Sequence, residues 1–214
     1  MKEQLSRQER RRRTSQRGYT QLLDPEVPGG RLASARAVNV QVHAKHCFEI
    51  ARLLRPKGSG DNRTYTTARD AIARLEEVIL IDSDRADIRR KAKAVPYRKG
   101  SGNKRRKRSG PSMVGHRRGG MGPGRFPAKA SREFIKLIRS AVENARHQFD
   151  DLDIDPEDLH ITHCAAHRGQ QRRRFMPRAR GRATPKNHYE VNLELFIEDL
   201  RAGQSEFDDD NSEF

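Results

Sequence analysis

Histidine and cysteine are the residue types best suited to metal or proton chemistry, and His160, His163 and His167 stand close together with Cys164 between them. Zinc takes nitrogen and sulfur ligands of this kind. On a helix the histidines would share one face. On a strand successive side chains alternate, so His160 would point away from His163 and His167, and convergence on one metal fails. The stretch LHITHCAAH reads as extended, which disfavours zinc. In a second group, His43, His46 and Cys47, the cysteine fits the apolar stripe of a helix, leaving the histidines to flank it or touch RNA. The acids of DDLDIDPED lack the glycine and closing glutamate of a calcium loop and read as a solvated turn and cap. A Walker phosphate loop, a dinucleotide fingerprint and a nucleophile elbow are all missing. The expectation is therefore no enzyme: no catalytic residue, no metal and no cofactor.

What remains is cationic chemistry. Seven arginines fall between Arg168 and Arg182, namely Arg168, Arg172, Arg173, Arg174, Arg178, Arg180 and Arg182, and no acid interrupts Leu159 to Tyr189. A hydrophobic core cannot hold so many unpaired charges, because each carries a severe desolvation cost. A polyanion can, since the planar guanidinium matches phosphate oxygens and stacks on bases. A second run free of acids, Ile88 to Arg132, contains sixteen lysines and arginines. Its densest points are Lys104, Arg105, Arg106, Lys107 and Arg108, then His116, Arg117 and Arg118, with Arg125 following. Such a segment is expected to form an RNA-embedded loop rather than core.

The whole chain agrees. It has 214 residues, 33% apolar and 35% charged, and a net charge of +16. Mean hydropathy is −1.00 and the isoelectric point is near 10.6. One medium domain with polar additions is expected, and nucleic acid is the natural partner of that charge. No apolar run is long enough to span a membrane. MKEQLSRQERRRR lacks the apolar centre of a secretory signal, and Glu3 and Glu9 argue against an organelle transit peptide. Two distant thiols, Cys47 and Cys164, favour a reducing compartment over a disulfide framework.

Elements to position the arginines can be read from periodicity. Tyr189, Val191, Leu193, Leu195 and Ile197 alternate with polar residues, the pattern of a half-buried strand. Paired with LHITHCAAH, it makes a hairpin whose arginine-rich tip, 168–186, runs beyond the body. About ten extended residues per arm reach roughly 30 Å. Val38, Val40 and Val42 predict another strand. Cys47, Ile50, Ala51 and Leu54 predict a helix ending at Arg55-Pro56. Ala68, Ala71, Ile72, Leu75, Val78 and Ile79 predict a second, started by Thr67 and Asp70 in a capping-box manner. Phe134, Leu137, Ile138, Ala141, Val142 and Ala145 predict a third, opened by Phe126-Pro127. The expected class is α+β: a small antiparallel sheet against three helices, with a long hairpin extension and basic tails. The expected divisions are a basic extension over 1–30, a domain over 31–200 that includes a basic loop at 88–126, and an acidic tail over 201–214. With 6% aromatics and no tryptophan, contact with phosphates and RNA shape is favoured over base stacking.

Several of these motifs resemble one family. Arg173, then Arg178-Ala179, Gly181-Arg182, Asn192-Leu193, Leu195 and Ile197 are similar to the signature of the large-ribosomal-subunit protein L-twenty-two family, called L-seventeen in eukaryotes. Val95-Pro96-Tyr97, Gly115-His116-Arg117 and the run Gly124 to Ser131 resemble its archaeal and eukaryotic branch. The likeness covers about Arg31 to Leu200. It implies an α/β domain seated on large-subunit rRNA beside other large-subunit proteins, in a cytosolic ribosome, with nucleolar passage during assembly if eukaryotic. It further implies a hairpin lining the exit tunnel, where Phe175, Met176, Pro177 and Arg178 meet the nascent polypeptide. A eukaryotic source ranks first, an archaeal one second and an organelle last. The rival readings are a free RNA- or DNA-binding or annealing protein, and a metal-dependent nuclease.

Overall fold

In the computed structural model, which describes residues 32–58, 63–97, 113–114, 124–148 and 155–200, the chain enters on strand β1, Leu32–Val40. Helix α1 follows, Ala44–Leu54, burying the expected Cys47, Ile50, Ala51 and Leu54. Its first turn is capped by the imidazole of His43, which accepts from the Lys45 N–H at 3.3 Å. Strand β2 is the pair Thr66–Thr67, and α2 runs Ala68–Ile79. There the Thr67 hydroxyl accepts from the Asp70 N–H at 3.1 Å, satisfying an amide that the helix itself leaves unpaired.

A short helix α3, Ala86–Lys91, and strands β3 (Val95–Pro96), β4 (Met113–Val114) and β5 (Gly124–Arg125) come next, inside the basic stretch. The short helix adds a fourth to the three that periodicity predicts. It is too brief for an apolar stripe to show, and none of its residues is buried. The expectation that 88–132 cannot contribute to a core is also corrected. Its two ends do so: Val95 is fully buried, and Ala94, Tyr97, Ala128 and Ala130 are buried with it. Ten of the sixteen charges lie between those ends, from Arg98 to Arg125, so a charge average over the stretch hides them.

Helix α4, Ala128–Gln148, is the longest, and its buried face carries the predicted Phe134, Leu137, Ile138, Ala141, Val142 and Ala145. Then come β6 (His160–Arg172), β7 (Phe175–Pro177), β8 (Ala183–Pro185) and β9 (His188–Glu198). The main sheet has the order β1-β9-β6-β2, and all its pairings are antiparallel. A small sheet β3-β5-β4 and the ribbon β7-β8 complete the strands among the described residues. The fold is α+β. Ala33, Ala35, Ile161, Cys164, Leu193, Leu195 and Ile197 join the helix stripes in one core cluster.

Two strand readings change in three dimensions. Val38, predicted to lie in phase with Val40 and Val42, is 53% exposed, whereas Ala33 and Ala35 are buried. Ala37 pairs with Leu193 but Val40 with Val191, so β1 carries an extra residue there, and Asn39 takes a positive φ of 58°. The bulge reverses the side-chain phase. Strand β9, predicted half-buried, is buried on both faces: Glu190 and Glu194 are 1% and 2% exposed. It is an inner strand, and long side chains of its neighbours close over its polar face.

Candidate nucleic-acid interface

The expected hairpin is present. Strands β6 and β9 pair from His160↔Glu198 out to Arg172↔His188, and β7-β8 continues the ribbon through Phe175↔Pro185 and Pro177↔Ala183. Between the two sections Lys186 N–H donates to the Arg174 carbonyl at 2.5 Å. The end turn spans Arg178 to Arg182, with Arg178 N–H on the Arg182 carbonyl at 2.7 Å. Arg180 and Gly181 both take positive φ there, 60° and 66°. Glycine adopts that geometry without strain. From Arg172 to Tyr189 every residue is exposed, and Phe175 is 72% exposed.

The arginines of the hairpin do different things. Arg168 lies over the Tyr189 ring at 5.3 Å. Arg172 pairs with buried Glu190 at 2.5 Å, which ties the outgoing arm to the returning one. Arg178 donates to the Thr184 hydroxyl at 3.3 Å. Arg173, Arg174, Arg180 and Arg182 extend from the ribbon with their side chains exposed.

Where the ribbon leaves the body, both neighbours of β9 are irregular. Strand β6 has a register shift between Arg168 and Gln171, at the level of the β1 bulge. The Asn192 side chain bridges them, accepting from the Asn39 N–H at 3.0 Å. A Cβ on Gly169 would stand 2.9 Å from that same Asn192 oxygen. A side chain here would push the Asn192 amide away from the Asn39 N–H that it holds.

Arg125 is not part of the hairpin. It sits on β5, paired with Val95, and its guanidinium lies 5.2 Å from the centre of the Tyr97 ring. Tyr97 in turn is hydrogen-bonded through its hydroxyl to His46 Nδ1. Burial, then the charges of His43, Arg125 and Lys45, lower His46 from 6.5 to about 4. Burial together with Lys45, His188 and Arg125 lowers His43 as well. The remaining predicted positions, Lys104 to Arg108 and His116 to Arg118, lie outside the described residues.

The histidine trio is arranged differently from the strand expectation. Ile161 pairs with Ile197 but His163 with Phe196, so a bulge at Thr162 brings His160 onto the face of His163 and His167. The three still diverge. His160 meets the Tyr65 ring at 6.4 Å, while His163 stacks on Phe196 at 4.9 Å. His163 and His167 lie 3.7 and 3.8 Å from the Glu194 carboxylate. Cys164 faces the core, and burial pushes its thiol up to about 12. Among the described residues no three His, Cys, Asp or Glu side chains are grouped to hold a metal. The described acids of DDLDIDPED surround Arg69, at 3.1 Å from Asp155, 3.6 Å from Glu157 and 3.4 Å from Asp158. No helix among the described residues is long and apolar enough to cross a membrane.

Comparison with known proteins agrees with this geometry. The family model described as "Ribosomal protein L22p/L17e" matches residues 35–198. The chain belongs to that family. It is 34% identical to the large ribosomal subunit protein uL22 of Methanocorpusculum labreanum over 176 residues, covering 82% of this chain and 95% of that protein. It is 30% identical to that of Methanoregula boonei over 175 residues, covering 82% and 94%. With that of Aeropyrum pernix it shares 31% over 188 residues, covering 86% and 97%. These relatives are archaeal and support the archaeal branch of the family. Membership in the L22p/L17e family carries a structural role in the ribosome rather than an enzymatic one. Two segments that carried the resemblance, Val95-Pro96 and Gly124-Arg125, are partners in one small sheet.

Proposed function

We propose that this chain is a constituent of the large ribosomal subunit that binds rRNA through its arginine-rich hairpin and basic loop. The rRNA contacts are Arg168, Arg172, Arg173, Arg174, Arg178, Arg180 and Arg182, joined by Arg125 and by Lys104 to Arg108 and His116 to Arg118. The hairpin lines the nascent-peptide exit tunnel, where Phe175, Met176, Pro177 and Arg178 face the growing chain. Residues 31–200 act as the ribosomal domain, between a basic extension over 1–30 and an acidic tail over 201–214. Neighbouring large-subunit proteins contact the body, and the assembled particle is cytoplasmic.

The observation that supports this reading is the exposed ribbon of 172–189, rich in arginine and free of acids, held out from a folded body by two paired strands. Guanidinium groups make charge-assisted, often bidentate hydrogen bonds to phosphate oxygens. Phe175 and Met176 among them, 72% and 40% exposed, are apolar groups that a purely electrostatic arm would not require. Sedimentation of the tagged protein from lysate through a sucrose gradient, with a high-salt wash, tests the assignment. Near-stoichiometric protein is expected to stay with the large subunit. Protein washed to the top of the gradient would replace this reading with a free nucleic-acid binder.

A further inference from the structure

At the root of the hairpin a cavity of about 330 Å³ is lined by Lys129, Arg172, Arg174, Lys186 and His188. Its two other lining side chains, Gln41 and Asn187, are neutral, and no carboxylate lines it. Three parts of the fold supply these groups: the first turn of α4, the end of β6 with the link after it, and the approach to β9. Glu190, next on β9, is already engaged by Arg172. The hydrogen bond from Lys186 to the Arg174 carbonyl fixes the two cationic residues across the ribbon from each other.

Cationic side chains gathered around one space, with no carboxylate among them, give it a positive potential that draws an anion. A water occupies about 30 Å³, and the cavity is large enough for a tetrahedral anion with part of its hydration. We propose that it is a phosphate subsite, seating a backbone phosphodiester of RNA where the hairpin joins the body. Lys129 and Lys186, which lie outside the dense arginine runs, are its added ligands. With Arg174 they contact non-bridging oxygens, and Arg172 contributes the part of its fork not used on Glu190. The subsite rests on reading the chain as an RNA binder, and adds one defined position to a diffuse positive surface.

The test uses the full chain and a short labelled RNA duplex, with affinity measured across potassium chloride concentrations. The variant K129Q/K186Q is compared with K57Q/R63Q, which removes the same charge from the connection between α1 and β2, and with K129R/K186R. Loss of one phosphate contact is expected to weaken K129Q/K186Q binding by about 10-fold and to flatten the log–log salt slope by about 1. The K57Q/R63Q variant is expected to keep the wild-type slope, and K129R/K186R to recover it, with all circular dichroism spectra unchanged. Equal losses and equal slopes in K129Q/K186Q and K57Q/R63Q would overturn the subsite. If they agree while the wild-type chain still sediments with the large subunit, the subsite alone falls. If the wild-type chain neither binds the duplex nor sediments, the parent reading falls with it.

Discussion

His46 couples a half-buried imidazole to the packing of the small sheet on the body. Its hydroxyl partner Tyr97 is buried, and Arg125 caps the tyrosine ring. The native state holds His46 neutral down to about 4, whereas the unfolded chain protonates it near 6.5. A lowered base pKa contributes stability that is present above the unfolded value and lost as pH falls through the folded one. His43 and His163 are lowered in the same sense, so they add to the trend. Stability is therefore expected to decline as pH drops from 6.5 toward 4. His46→Gln should remove about 1 kcal/mol of that decline, since solvent screens a partly exposed imidazole. Urea denaturation of both proteins across this window checks it; parallel profiles would show that His46 does not titrate with folding. At this scale sequence was a good guide to the arginines and a poor one to their partners. Glu190 and Glu194 looked like outward polar positions, and only the sheet order shows them buried beside Arg172, His163 and His167.

The hairpin is two structures in series. As far out as Val191 it belongs to the core sheet, with Val191, Leu193, Leu195 and Ile197 fully buried. Beyond Glu190 it becomes a free ribbon, exposed at every residue from Arg172 to Tyr189. Two-stranded ribbons alone are at best marginally stable in water, so the ribbon draws its order from the sheet that launches it. Because Arg172 pairs with His188, replacing 173–187 with Asn-Gly would close a tight two-residue turn on that pair. The shortened protein should keep its circular dichroism spectrum, and its unfolding free energy should stay within about 1 kcal/mol of the full chain, as expected for changes away from a core. It should fail to incorporate stably into large subunits. An unfolded product would mean that the ribbon is part of the core.

Taken whole, the molecule combines a net charge of +16 with a core made chiefly of alanine, leucine, isoleucine and valine. Among the described residues acids are spent on local pairs, such as Asp82 with Arg132 at 2.6 Å and Glu77 with Lys93 at 2.5 Å. The hairpin arginines beyond Arg172 have no acid opposite them, so phosphates remain their natural counter-ions. RNA affinity of the isolated chain should then fall steeply with salt. If 6–10 phosphates are neutralised, raising salt from about 50 to about 200 mM should cost about 10³- to 10⁵-fold. Fluorescence titration across that range checks this, and a flat dependence would show that binding rests on uncharged contacts.

Periodicity determined the three longer helices and the returning strand, because a 3.6 or 2-residue repeat of apolar side chains survives any particular packing. Composition determined the partner class, because charge of one sign has few uses in a folded interior. Tertiary structure alone decided three things. The bulges at Asn39, Thr162 and Gly169 reverse which side chains share a face, and each depends on pairing with a strand distant in sequence. The inner position of β9 buries acids that its own alternation presents as solvated. The gathering of Lys129 with Lys186 and His188 joins residues from α4 and the hairpin. Isolated lysines give no local signal, and only folding brings their charges within reach of one another.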